Sequence, residues 1–247
     1  MLPDAATDTL ALLHDMHGSL HDLAHVGVLV PWGNTIVEME LPRLGLDRVV
    51  FHYARLVPAR RYRDADGFLT EIATAIPETL RQFDRISLAG SLVACTSTGI
   101  FLNREAYRDA EVVDAFDALQ DLLRALSAST IVLATPYPRR HTEIQAARLR
   151  EAGFEVSGHA SLDLALLDDF TAVTTDRIAE LVYSVDAAGR SRADAVVLSC
   201  TAWPTIDATA FLQHELQIPV VSSNLLLPTA PYVFLAELRR HDEPEAN

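Results

Sequence analysis

The sequence contains no lysine, and all 20 of its basic residues are arginine. Without that amine there is no internal Schiff base to pyridoxal phosphate and no phosphate-gripping lysine of a GxxxxGK[ST] loop, which excludes PLP enzymes and P-loop NTPases. Glycine is scarce as well, 10 in 247 residues, below the usual share of about 7%. No GxGxxG occurs, so the dinucleotide-binding fingerprint is missing too. Long apolar runs are also lacking: the stretch from Ile86 to Cys95 falls far short of the ~20 residues of a membrane span. Residues 1–25 carry acidic residues and histidines where a signal peptide would have a basic start and an apolar stretch. Cysteine occurs only twice, at Cys95 and Cys200. In a chain without an export signal two such cysteines are expected to be thiols rather than a disulfide, and the chain is expected to be cytoplasmic.

What is present is acid. Thirty-four Asp and Glu against 20 Arg give a net charge of −14, which repels nucleic-acid phosphate and anionic lipid over long range while leaving a local pocket free to take an anion. The expected partner is therefore a small molecule, not nucleic acid or a membrane. With no cofactor motif, the chemistry is expected to run on side chains alone.

Short β-branched runs alternate with amphipathic stretches. The runs are Val26 to Val30, Val49 to Ala54, Ile86 to Ala94, Ile131 to Ala134, Glu155 to His159, Ala195 to Ser199 and Pro219 to Val221. Several are apolar at nearly every position, as strands covered on both faces are. Helix-like patterns fall at about 66–82, 104–127, 139–152, 174–188, 205–216 and 228–240. Such alternation predicts an α/β protein with parallel sheets.

The chain also repeats itself. Ile86-Ser-Leu-Ala-Gly-Ser-Leu-Val-Ala-Cys95-Thr96-Ser97-Thr98 and Ala195-Val-Val-Leu-Ser-Cys200-Thr201-Ala-Trp-Pro-Thr205 both read as a buried strand ending in small residue, Cys, Thr, then a hydroxyl-rich turn and a helix. One cysteine per half, in the same local setting, predicts two related α/β lobes facing each other across a cleft. Ligands of such sheets sit beyond the carboxyl ends of the strands, where both cysteines fall. A free cysteine is commonly a small buried hydrophobe. The pairing favours function, because a thiol before a helix start meets unpaired N–H groups that lower its pKa from about 8.5 towards neutrality. Two thiols on opposite walls suit proton transfer on two faces of a carbon acid, or addition to a double bond followed by rotation and elimination.

Other strand ends offer polar groups. Val30-Pro31-Trp32-Gly33-Asn34-Thr35 places Asn34 where it either caps a helix or grips a substrate carboxylate. The Thr135-Pro136-Tyr137 turn points Tyr137 into the same cleft or onto the surface. Ser222-Ser223-Asn224, after the last run, lines the cleft or caps a helix. Thr96, Ser97 and Thr201, beside the cysteines, are further candidate carboxylate binders.

Together these segments resemble the Asp/Glu racemase superfamily, in the branch of maleate cis-trans isomerases and arylmalonate decarboxylases. The carriers are VPWGNTIVEMELPRL at 30–44, LVACTSTG at 92–99, LATPY at 133–137, VVLSCTAWPTID at 196–207 and IPVVSSN at 218–224. The resemblance implies two pseudosymmetric flavodoxin-like (Rossmann-like) lobes, residues 26–127 plus 223–247 and residues 128–222, preceded by a helical extension over 1–25. It implies a substrate held between two cysteines without metal or organic cofactor, and a homo-oligomer. Cys95 matches the nucleophile of the maleate isomerases and Cys200 its acid/base partner, while Asn34 and Tyr137 match carboxylate binders. Arylmalonate decarboxylases have glycine at the place of Cys95, so retaining both cysteines favours an isomerase or racemase. One departure stands out. Maleate isomerases carry a carboxylate-binding asparagine in the segment matching residues 161–169, and here leucine takes its place, which leaves room for a substrate with one apolar arm.

His14, His17, His21 and His25 lie on one stripe of a helical pattern, a spacing that can bind zinc. No cysteine or second-lobe ligand is evident near them, and the expected reading is an exposed extension. His141 and His159 read as structural, and Arg60, Arg61 and Arg63 as a solvated cluster. The absence of HExxH, CxxC and GxSxG leaves metalloprotease, zinc-ribbon and serine-hydrolase chemistry without a motif.

Overall fold

A computed structural model describes residues 24–46, 49–60, 65–101, 112–165 and 170–227. The expected extension ahead of residue 24, its histidines 14, 17 and 21, Arg61, Arg63 and the 228–240 helical pattern lie outside the described residues.

Two four-stranded sheets share one strand order. The first runs β2-β1-β3-β4, from β1 (Ala24–Pro31), β2 (Val49–Leu56), β3 (Gly90–Val93) and β4 (Val112–Asp114). The second runs β6-β5-β7-β8, from β5 (Thr130–Thr135), β6 (Glu155–Ser161), β7 (Ala195–Leu198) and β8 (Val220–Ser222). Every pairing is parallel. The central strands β1, β3, β5 and β7 are buried along nearly their whole length, which explains why they read as unbroken apolar runs instead of alternating ones.

The helices are α1 (Ile36–Glu40), α2 (Ala65–Leu80), α3 (Thr96–Phe101), α4 (Ala115–Ala125), α5 (Arg139–Glu151), α6 (Thr175–Ser184), α7 (Ala187–Ser191), α8 (Ile206–Leu216) and α9 (Ser223–Leu226). The pattern at 174–188, expected as one helix, is two: Val185 turns extended and Asp186 starts α7 by accepting from the Gly189 amide at 2.8 Å. Strand β4 falls inside a stretch expected to be helical, and is only three residues long. Its last residue, Asp114, also caps α4, accepting from the amides of Phe116 at 2.8 Å and Asp117 at 2.9 Å.

The two sheets are joined by packing. Phe116, Leu119, Leu122 and Leu123 of α4 bury themselves with Ile131, Leu133, Val197 and Val221 of the second sheet. Leu225 and Leu227, after the last strand, pack with Val26, Val28 and Leu92 of the first. Burial of this kind stabilises by about 25 cal/mol per Å² of apolar surface, so the opposed strand ends are held by a shared core.

Candidate active site

In both sheets the chain leaves the two central strands in opposite directions, from β1 to one neighbour and from β3 to the other, and likewise from β5 and β7. A crevice forms at the carboxyl ends of strands where the order reverses in this way. Two or three residues beyond each of those four ends stands one singled out from sequence: Asn34 after β1, Cys95 after β3, Tyr137 after β5 and Cys200 after β7. All four are buried.

Cys95 stands immediately before α3, and the amides of Thr98 and Ser97 point at its sulfur. Its carbonyl accepts from the Thr98 hydroxyl at 2.6 Å, which closes the turn. The Cβ of any residue larger than glycine at 99 would come within 2.6 Å of the Asp114 carboxyl carbon, so glycine lets α3 lie against the cap of α4. Thr96 is fully buried and donates to Ser223 at 2.9 Å. Ser97 stays half-buried and donates to the phenol oxygen of Tyr137.

Cys200 is held differently. No helix starts beside it; α8 begins six residues later, and the sulfur instead receives the amides of Ala202, at 3.3 Å, and Trp203 from a tight turn. The Tyr137 hydroxyl donates to the same sulfur. Tyr137 also lies near enough to Cys95 for that sulfur to act on its phenol. Ser199, just before Cys200, is held by the Gln145 side chain.

A direct tie joins the two cysteine turns. The hydroxyl of Thr201 donates to the carbonyl of Ala94, at 2.7 Å, and accepts from the Asn34 amide at 3.2 Å. Asn34 is thus engaged at both ends, because its carboxamide oxygen accepts from the amides of Ile36 (2.9 Å) and Val37 (3.3 Å) and caps α1. Arg55 of β2 braces this turn through the Asn34 carbonyl and the Glu38 carboxylate. One amide hydrogen of Asn34 remains beyond its bond to Thr201.

The expected depression of the thiol pKa values does not occur. Burial pushes Cys95 up to about 11 and Cys200 up to about 12 from an ordinary 9.0, against the pull of the surrounding N–H and O–H donors. Desolvation of a thiolate outweighs the short helix terminus because both cysteines are buried. Burial likewise raises the Tyr137 phenol well above its usual range, and both neighbouring sulfurs add to the rise. Near neutral pH the site therefore holds two neutral thiols and a neutral phenol.

One residue escaped the sequence reading. Glu40, in α1, is 3% exposed and accepts four hydrogen bonds from across the interface between the sheets. These come from the amides of Thr205 (2.7 Å) and Ile206 (2.9 Å), the Thr205 hydroxyl (3.3 Å) and the Asn224 amide (2.6 Å). The signal was present: Ile36, Val37, Leu41 and Leu44 make a helical-period apolar stripe, and Glu40 sits in it as a charge. Asn224 faces Glu40 and the Trp203 carbonyl, at 3.2 Å, while Ser222 caps α9.

On the second-lobe side, Leu162 and Leu164 pack against the apolar cluster that contains Tyr137, Phe170, Val173 and Cys200. Residues 166–169, which complete the segment expected to lack a carboxylate-binding asparagine, lie outside the described residues. Elsewhere, His25 and His52 pair across β1 and β2 at 2.8 Å. His159 lines a separate cavity of about 220 Å³ with Arg139, Glu143 and Ser184. Among the described residues no group of three or more His, Cys, Asp or Glu side chains is placed to hold a metal ion, and no helix is long and apolar enough to cross a membrane.

Comparison with known proteins agrees with this fold. A family model described as arylmalonate decarboxylase matches residues 112–229. The maleate isomerase of Geobacillus stearothermophilus is 29% identical over 224 residues, covering 80% of this chain and 86% of that protein. The arylmalonate decarboxylase of Bordetella bronchiseptica is 35% identical over 103 residues, 41% of this chain and 42% of its own. Among solved structures, a cysteine-to-serine variant of the Nocardia farcinica maleate cis-trans isomerase with a covalently bound succinylcysteine intermediate matches with a TM-score of 0.75 at 22% identity, covering 87% of this chain and 93% of that one. The Pseudomonas putida S16 maleate isomerase with maleate gives 0.76 at 20% identity over the same shares. A glycine-to-cysteine variant of arylmalonate decarboxylase gives 0.64 at 22% identity, covering 90% and 96%. The sequence relatives and the fold neighbours thus fall in the branch of the Asp/Glu racemase superfamily that the motifs resemble.

Proposed function

We propose that this chain, which shares sequence and fold with the maleate isomerases, is an isomerase of a small unsaturated carboxylic acid that works with two cysteines. The observation that carries the reading is the meeting of Cys95 and Cys200 at equivalent strand ends, with the Tyr137 hydroxyl on one sulfur and beside the other. Cys95 is the nucleophile: its sulfur forms a bond to one alkene carbon while the π pair moves onto the carbon α to the substrate carboxylate. The double bond is now single and rotates. Expulsion of the Cys95 sulfur restores the alkene in the other geometry. Cys200 gives a proton to the carbanionic carbon and takes it back before expulsion. Since both thiols are neutral in the free site, the Cys95 proton passes to a carboxylate oxygen of the arriving substrate as the sulfur–carbon bond forms, and returns to Cys95 when the sulfur is expelled.

Asn34, Ser97 and Tyr137 are the carboxylate binders in this proposal: Asn34 keeps an amide hydrogen beyond its bond to Thr201, and Ser97, bonded to Tyr137, and Tyr137, bonded to Cys200, turn those hydroxyls to the substrate carboxylate. Thr96 and Thr201 are assigned to holding the walls, because Ser223 and the Asn34–Ala94 pair occupy their hydroxyls. The packing of Leu162 and Leu164 on the Tyr137–Cys200 cluster favours a substrate with one apolar arm over maleate. We also propose a cytoplasmic homo-oligomer; Trp32 and Val57, 53% and 61% exposed at adjoining strand ends, support assembly.

The test is incubation in D2O with maleate, a monoalkyl maleate, aspartate, glutamate and an arylmalonate, followed by NMR. Geometric conversion of the maleates supports the proposal. Stereochemical scrambling with α-deuteration of the amino acids indicates a racemase instead, and loss of a carboxyl group a decarboxylase. No turnover of any of them overturns the enzyme reading and leaves a small-molecule binding protein.

A further inference from the structure

We propose that Glu40 is a positioning residue for Cys200, acting from the opposite lobe. Its carboxylate does not touch the sulfur. It holds the far end of the Cys200 turn through the amides of Thr205 and Ile206, at 2.7 and 2.9 Å. It also fixes the Asn224 amide at 2.6 Å, and that amide reaches the Trp203 carbonyl at 3.2 Å. The residues between are those whose N–H groups converge on Cys200 Sγ, Ala202 at 3.3 Å among them. The start of this turn is pinned by Thr201 to Ala94 of the first lobe. Both ends of the Cys200 turn thus hang on the first lobe.

The chemistry of the link fits a positioning role better than a general one. A carboxylate buried among apolar neighbours costs stability unless its oxygens are hydrogen-bonded. Burial raises the Glu40 carboxyl above its usual range, and the bonds from Ile206, Asn224 and Thr205 draw it back. Two of those donors are the first free amides of α8, an 11-residue helix whose dipole favours an anion at that end. An apolar residue would stabilise the stripe of α1 as well or better, but would leave these donors unpaired and the turn free to shift.

The inference names a residue serving the isomerase reading above, and its test does not need turnover. The rate of iodoacetamide alkylation of each cysteine is followed against pH by mass spectrometry in the wild-type chain, Glu40→Ala, Glu40→Gln and Asn224→Ala, with thermal melts alongside. In Glu40→Ala the turn loosens and water reaches Sγ, so Cys200 alkylates about tenfold faster or more at pH 8, with Cys95 within about twofold of wild type. Glu40→Gln keeps one acceptor oxygen and gives an intermediate Cys200 rate. Asn224→Ala, which breaks only the branch to Trp203, shifts Cys200 in the same direction by less and keeps the protein folded if the Glu40 variants melt. For a substrate that turns over, kcat falls while KM stays within about twofold. Equal acceleration of both cysteines, or no change at either in folded variants, overturns the proposal. Lack of turnover in the wild type, with the selective Cys200 shift intact, overturns the isomerase reading alone.

Discussion

Cys95 and Cys200 end corresponding strands of two sheets built in the same order, yet the two sulfurs are supported in unlike ways. Cys95 sits against the first turn of a helix from its own lobe, with Gly99 letting that helix lie on the Asp114 cap. Cys200 sits in a turn with no helix beside it, tied at one end to Ala94 and at the other to Glu40, both in the first lobe. The difference teaches that equal topology sets where a thiol stands but not what holds it there. In the proposed mechanism, a thiol at the start of a helix of its own lobe suits the sulfur that forms and breaks a bond to carbon. A cross-supported one reports the fit between the lobes and suits the sulfur that only passes a proton.

Removing the sulfurs gives the largest contrast. Cys95→Ala is expected to abolish geometric conversion, and Cys200→Ala to reduce it by about 10²–10⁴-fold, the usual range for a general acid–base group. Rates from the NMR assay decide it; equal and modest losses would erase the division of roles.

Alkaline pH comes next. Because burial raises both thiols, the unfolded chain loses their protons near 9.0 while the folded chain keeps them, so stability is lost as pH rises from about 9 towards about 11 and 12. The expected slope is about 1.4 kcal/mol per pH unit for each thiol. Urea melts at pH 8, 9 and 10 should show it, with Cys95→Ser and Cys200→Ser each flattening the curve. Alkylation midpoints should fall in the order Cys95 before Cys200.

A smaller effect comes from breaking the support of Cys95 alone. Gly99→Ala places a methyl group against the Asp114 carboxylate and should cost about 1–3 kcal/mol, as overpacking does. Cys95 reactivity should change and Cys200 reactivity should not. The smallest effect belongs to Arg43→Ala. Its ion pair with Asp207 runs beside the Glu40 link, from the turn after α1 to α8, at 2.6 Å, but both side chains are more than half exposed. Removing it should move the melting free energy by no more than about 0.5 kcal/mol, which measures how much of the linkage is owed to burial.

Much of this architecture was readable in advance, because a strand covered on both faces leaves an unbroken apolar run and a strand end leaves small and hydroxyl residues. Val26 to Val30 and Ala195 to Ser199 are of that kind, and the four central strand ends place Asn34, Cys95, Tyr137 and Cys200 together. Short edge elements were not legible: Val112–Asp114 has too few residues to show a period, and Asp114 serves both strand and cap. The thiol titration is not legible locally, because a motif reports the helix terminus but not the depth of burial. The role of Glu40 is not legible either, because its partners, Thr205, Ile206 and Asn224, lie 165 to 184 positions away.

The shared strand order also bears on how a guest is seated. Two turns at corresponding strand ends give the proposed site a nearly palindromic plan, in which a molecule with two identical ends binds either way round with the same outcome. The walls break the palindrome: Asn34 and Ser97 stand on one side, with Leu162 and Leu164 packed behind the other. Under the proposed mechanism, a molecule with one charged and one oily end then has a single productive seating, and which of its two alkene carbons meets Cys95 is decided before any bond is made.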